Sequence, residues 1–207
     1  YTLEITKRPI TITADNNSKE YDGTALTDDG WMDVPPVPAS TDEVSSVTVT
    51  GSQIEVGESG NIPSSAVIIC SATKENVVND YDITYAPGKL TVTDNMKGIE
   101  ISSATEEWVY DGTVHTKPVY TVKYNGVEVT TVDGTGKVFT LPTGDKITIT
   151  PTTTGVTFID ENTPNNNTFT YVLDNDAMYK GERTITYGTL SIKKRPVTII
   201  AGSDEKV

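Results

Sequence analysis

Histidine, cysteine and positive charge are all scarce in this chain, and each scarcity closes off a class of function. Cys70 is the single cysteine, so no intrachain disulfide can form. Its setting, Ala66-Val67-Ile68-Ile69-Cys70, predicts a buried thiol that packs as a small hydrophobe. His115 is the single histidine, and neither a Gly-x-Ser-x-Gly turn nor a metal-binding histidine pair accompanies it. Ser-His-Asp chemistry and histidine-rich zinc sites therefore lack their parts, and His115 reads as an exposed strand residue. Hydrolysis by paired carboxylates needs only Asp and Glu, but it also needs a cleft, which small modules with short loops seldom enclose. The chain is read as non-enzymatic, with no catalytic residue and no cofactor. Its 16 Lys and Arg face 29 Asp and Glu, a formal charge of −13, which argues against a nucleic acid or an anionic membrane as partner. No apolar run approaches bilayer-spanning length, so no membrane insertion is expected. A monomer is the expected state.

What the chain has in plenty is alternation. Apolar and polar residues follow one another with period two in Ile10-Thr11-Ile12, Val47-Thr48-Val49, Tyr81 to Tyr85 and Leu90-Thr91-Val92. The same happens in Ile99-Glu100-Ile101, Ile147-Thr148-Ile149 and Phe169 to Leu173, and each reads as a half-buried strand. Turn signals at Pro87-Gly88, Asn125-Gly126, Asp133-Gly134 and Thr143-Gly144-Asp145 separate them. Asn125-Gly126, between Tyr120-Tyr124 and Val127-Val129, predicts a hairpin whose two central residues both take positive φ. Helical periodicity is missing except for room for one turn between Lys74 and Asn79.

The chain also repeats itself. Lys7-Arg8-Pro9-Ile10-Thr11-Ile12-Thr13-Ala14 returns 187 residues later as Lys194-Arg195-Pro196-Val197-Thr198-Ile199-Ile200-Ala201, six of eight positions identical. Tyr21-Asp22-Gly23-Thr24 returns as Tyr110-Asp111-Gly112-Thr113, an offset of 89 that also aligns Ile10 with Ile99 and Ile12 with Ile101. Closing segments match as well: Tyr85, Leu90 and Val92 against Tyr187, Leu190 and Ile192. These recurrences frame residues 1–6 as the tail of a preceding module, 7–94 as one module, 95–192 as the next and 193–207 as the start of a third.

The Lys-Arg-Pro opening, the Tyr-Asp-Gly unit and the closing Tyr85-Ala86-Pro87-Gly88-Lys89-Leu90-Thr91-Val92 with Tyr187-Gly188-Thr189-Leu190 together resemble the bacterial cell-surface repeats named for their Tyr-Asp-Gly motif and the related MBG repeats. The resemblance spans essentially the whole chain. It implies an all-β module, extracellular or at the cell surface, strung in tandem in adhesin-like proteins. The expected fold is two tandem immunoglobulin-like β-sandwiches of about seven strands each, with a β-grasp arrangement as the alternative. The expected role is a non-enzymatic spacer or adhesion repeat of a secreted or wall-anchored bacterial protein. A glycan- or mucin-binding module, using loops such as Trp31-Met32 or the longer insert at Thr153 to Asn167, and an accessory domain of an extracellular enzyme are the alternatives. Adjacent modules of the same chain are the expected partners, with a host glycan or protein beyond them.

Several residues carry more specific expectations. In each Tyr-Asp-Gly unit the Asp bonds the backbone two residues on, the Gly supplies positive φ, and the Tyr ring anchors in the core. Tyr21, Asp22, Gly23, Tyr110, Asp111 and Gly112 are thus structural, as are Pro9 and Pro196, which stiffen the entry to a module. Gly98 replaces that proline in Asp94-Asn95-Met96-Lys97-Gly98, which predicts a more compliant or more bent joint there. Trp31 and Met32 are the candidate ligand contacts, although Trp31 also suits a cover over the first core, and Trp108 reads as core or rim. Acidic clusters at Asp15, Glu20 and Asp22, at Asp28, Asp29 and Asp33, at Asp160 and Glu161, and at Asp174, Asp176 and Glu182 nominate calcium as the candidate metal. Lys7, Lys89, Lys123 and Lys146 lie in or beside strands, where a covalent bond to an Asn carboxamide is the chemistry to look for.

Overall fold

The computed structural model describes residues 3–37, 41–131 and 133–202. Residues 1 and 2 of the expected preceding-module tail, residues 38–40 and 132, and residues 203–207 of the third-module start lie outside them. The chain is all-β. It forms two compact units: the described residues up to Met96 together with Ala177–Lys180, and the described remainder from Lys97.

The first unit contains β1 (Arg8–Ala14), β2 (Asn17–Glu20), β3 (Trp31–Val34), β4 (Asp42–Thr50), β5 (Gly57–Cys70), β6 (Tyr81–Ala86) and β7 (Gly88–Thr93). Period-two patterning does its expected work: Ile10, Ile12 and Ala14 are buried while Thr11 and Thr13 are half-buried. β1 runs antiparallel to β3 and parallel to β6, with Ile10 opposite Ile83 and Ile12 opposite Tyr85. Pro9 precedes the β3 ladder, which begins at Thr11, so its missing N–H costs that ladder nothing. This sheet faces the β4–β5 hairpin over a core of Ile10, Ile12, Ala66, Ile68 and Tyr81, with Trp31 packed at its margin. Full burial of each such isoleucine contributes about 1.5–3 kcal/mol.

A sharper feature is a pair of aligned breaks. β1 gives way to β2 at Asp15-Asn16, and β6 gives way to β7 at Pro87; the first half of each belongs to one sheet and the second half to another. β2 then lies parallel to β7, so two extended segments change sheets side by side. Gly88 is buried at the crossing, where a Cβ would strike the carbonyl oxygens of Asp15 and Ala14. Asn61, fully buried on β5 and opposite Gly88, donates through Nδ2 to Asp15 O at 3.0 Å.

The second unit repeats this device. β8 (Ile99–Ser103) and β9 (Glu106–Val109) lie parallel to β15 (Arg183–Thr186) and β16 (Leu190–Lys193) respectively. Gly188 crosses the carbonyls of Ala104 and Ser103 too closely for any Cβ. Asn167, fully buried, donates to Ala104 O at 2.8 Å and Lys117 O at 2.9 Å. Between them lie β10 (Tyr120–Tyr124), β11 (Val127–Val129), β12 (Val138–Thr140), β13 (Lys146–Pro151) and β14 (Phe169–Leu173). Tyr120 of the β11-β10-β8-β15 sheet meets Phe169 of the β12-β13-β14 sheet edge to face, ring centroids 5.4 Å apart.

Facing sheets make each unit a sandwich. Parallel and antiparallel ladders are mixed, whereas immunoglobulin sheets are antiparallel. The β-grasp alternative needs a helix packed across a sheet. Among the described residues the helical pieces are three-residue 3-10 turns at Val78–Asp80, Ile159–Glu161 and Asp176–Met178.

Several local expectations are corrected. Pro87-Gly88 is not a chain reversal but the point where an extended segment changes sheets. The sheet register puts Ile185, not Tyr187, in the place of Tyr85, because Ile12 pairs with Tyr85 and Ile101 with Ile185. The single helical turn begins at Val78, after Lys74 takes a positive φ of 62°. Cys70 is only half-buried at the end of β5, and hydrogen bonds from Thr73 lower its thiol pKa. The residues on either side of Met96-Lys97 are bonded within their own units. Asn95 is buried and donates through Nδ2 to Tyr21 O at 2.9 Å, while Asn125 N–H donates to Gly98 O at 2.8 Å. The Asn125-Gly126 hairpin forms with φ of 50° and 77°, as two positive-φ residues require.

Candidate functional site

The two Tyr-Asp-Gly turns occupy equivalent places, just after β2 and just after β9. Their cores are alike. Asp22 Oδ1 accepts from Thr24 N at 2.9 Å and Thr24 Oγ1 at 2.7 Å; Asp111 Oδ1 accepts from Thr113 N at 2.9 Å and Thr113 Oγ1 at 2.8 Å. Gly23 and Gly112 have φ of 79° and 81°, which a Cβ would strain. Asp, Gly and the following Thr thus make a closed turn, and the sequence anticipates it.

The surroundings differ. In the first unit Lys19 Nζ donates to Asp22 Oδ1, Thr24 O and Thr24 Oγ1, each at 2.7 Å. In the second, Trp108 stands where Lys19 stands and His115 where buried Leu26 stands. The indole and imidazole stack with centroids 4.9 Å apart and planes 15° apart. His115 Nε2 lies 3.0 Å from Asp111 Oδ1; an ionised carboxylate only accepts, so Nε2 carries the hydrogen. His115 is therefore half-buried and engaged rather than an exposed strand residue. Trp108 packs on Val156, Leu190 and Ile192, in keeping with a core or rim residue. Both aspartates are held to a pKa of about 2: Asp22 mainly by the bond from Lys19 and then by Thr24, Asp111 by the Thr113 amide and hydroxyl and then by His115.

The tyrosines part company too. Tyr21 is 3% exposed, whereas Tyr110 is 38% exposed and lies 6.1 Å, centroid to centroid, from the half-exposed ring of Phe158. Anchoring in the core holds for Tyr21 and fails for Tyr110. Phe158 lies in the Thr153–Asn167 insert, which length alone singles out; within that loop no period or motif marks the ring itself. Glu161 fixes that loop by accepting from the amides of Thr157 and Phe158.

No family model, curated protein or solved structure matches this chain. Trp31 and Met32 alternate along edge strand β3: Trp31 is half-buried against the core and Met32 is exposed, so the two do not form one face. The acidic clusters do not converge; among the described residues no three His, Cys, Asp or Glu side chains gather as metal ligands. Their members brace loops instead. Asp28 accepts from Gly30 N and Asn17 Nδ2, Asp33 from Val37 N, and Asp176 pairs with Arg183. Lys89 and Lys123 pair with Glu58 at 2.9 Å and Glu100 at 3.9 Å rather than with an asparagine carboxamide.

Proposed function

We propose that the chain is a pair of non-enzymatic spacer modules of a secreted or wall-anchored bacterial surface protein. The observation that carries this reading is the twice-built crossing of paired strands, each with its glycine, buried asparagine and Tyr-Asp-Gly turn. Residues that recur between the units hold backbone: Asp22 and Asp111 close turns, Asn61 and Asn167 bond carbonyls, Gly88 and Gly188 admit close approach. Repetition of scaffold, with variable chemistry laid over it, is what a tandem array needs. A glycan- or mucin-binding module would instead require a shared recognition face, and the Trp31–Met32 pair does not supply one.

A glycan and mucin array probed with the 207-residue chain tests the reading. The expected outcome is no signal above background. Saturable binding to any host glycan, lost on substitution of one exposed aromatic residue, overturns it in favour of a binding module.

A further inference from the structure

Tyr21 and Tyr110 share a backbone address. Tyr21 N–H donates to Thr93 O at 2.9 Å and Tyr110 N–H to Lys193 O at 3.0 Å, each carbonyl at the end of a closing strand. Two residues past Thr93, Asn95 donates to Met178 O at 2.8 Å and accepts from Lys180 N at 2.9 Å. This parallel bridge carries Tyr179 onto Tyr21. Both rings are 3% exposed and meet edge to face, centroids 5.8 Å apart. The first unit thus buries its motif tyrosine under a tyrosine-bearing turn.

Arg195 stands two residues past Lys193, in the place of Asn95, and it is exposed. A neighbouring pair differs in step. Met96 N–H donates to a Glu20 carboxylate oxygen at 2.8 Å; the corresponding residues are Pro196, which has no N–H, and Val109, which has no acceptor. The change of both partners leaves no polar group stranded there. Around this edge Val109, Tyr110 and Phe158 are all more than a third exposed, an aromatic and aliphatic surface of the kind that marks an interaction site.

We propose that Tyr110, Phe158 and the backbone of Arg195 form a docking site for a turn like Ala177–Lys180 carried by another β-module of this type. The incoming strand bonds Arg195 N–H and C=O in parallel register and lays a tyrosine ring against Tyr110. The chain's own Ala177–Lys180 already serves the first unit, so the occupant comes from a further copy. This deepens the tandem-spacer reading and rests on it.

The test compares the 207-residue chain with a longer one in which residues 1–196 are followed by a second copy of residues 97–192. Hydroxyl-radical footprinting reads the exposure of each ring. Tyr110 and Phe158 should fall several-fold in reactivity in the longer chain, towards the level of Tyr21, and Tyr179→Ala confined to the added copy should restore them. Equal Tyr110 reactivity in both chains overturns the proposal, as does protection that survives Tyr179→Ala. As a second measurement, a peptide of residues 174–182 at millimolar concentration should shift the amide resonances of Tyr110 and Arg195 in the 207-residue chain. No shift overturns the proposal, and so does an equal shift from the Tyr179→Ala peptide. Neither readout involves a sugar, so failure here leaves the spacer reading standing, whereas a positive glycan array removes that reading without altering the footprint.

Discussion

The two units support their closing strands by different means. In the first, β5 pairs with β7 through its backbone, Ser59 opposite Leu90 and Gly57 opposite Val92. In the second, asparagine side chains take the place of that strand. Asn166 donates to Leu190 O at 2.9 Å and accepts from Leu190 N at 2.6 Å; Asn162 does the same for Ile192, both bonds at 2.8 Å. A carboxamide presents one donor side and one acceptor side, as a peptide group does. The contrast separates what the module requires from what it tolerates. The glycine crossing and the plugging asparagine recur in the same geometry, while the neighbouring strand is replaceable by anything with matching hydrogen-bond capacity.

Substitution at the crossing should break both units alike and hardest. Gly88→Ala and Gly188→Ala each force a methyl into backbone carbonyls, at a cost of about 3 kcal/mol or more, read from the denaturant midpoint of the affected unit. A mild effect at one of the two would break the equivalence. Next come the plugs. Asn61→Ala and Asn167→Ala strand partly buried carbonyls at about 1–3 kcal/mol each, and Asn167, which bonds two carbonyls against one for Asn61, should cost more by thermal unfolding.

Smaller again, and decisive for the contrast itself, is Asn166→Ala. It leaves the backbone groups of buried Leu190 unpaired and should speed amide exchange at Leu190, with a loss of about 1–2 kcal/mol. Ser59→Ala, at the matching place on β5, removes only a hydroxyl bond to Ser52 O, and amide exchange at Leu90 should not change.

The smallest effect is in acid. Asp22 and Asp111 titrate near pH 2 in the folded chain against an ordinary value of 3.8. Their folded pKa is depressed, so the stabilisation they give is complete above about pH 4 and is lost as pH falls towards 2. Thr24 and Thr113 amide shifts should move together in that window. Titration of either at an ordinary carboxylate pH would show its turn to be open.

Much of the strand content was legible because period-two burial leaves its mark on every residue: Ile10 and Ile12, Ile99 and Ile101, Leu90 and Val92 all lie where alternation puts them. Asn125-Gly126 was legible because a two-residue hairpin admits few residue types. What was hidden was pairing. Nothing in the chain announces that β1 lies parallel to β6, so Tyr187 resembles Tyr85 in its sequence setting although register assigns that place to Ile185. Asn61 and Asn167 leave no mark in the sequence, because a lone asparagine is ordinary and their offset differs from the 89 residues of the Tyr-Asp-Gly turns. Tyr110 misled for the opposite reason: an identical triplet makes an identical turn, but exposure depends on what lies across from it.

The parallel pairing of first and last segments has a mechanical consequence. A module held at its two ends is pulled at the start of β1 and at the end of β7, and these neighbouring segments run in the same direction. Tension then slides one along the other, so the hydrogen bonds of the β1–β6 and β2–β7 ladders share the load in shear rather than opening one after another like a zip.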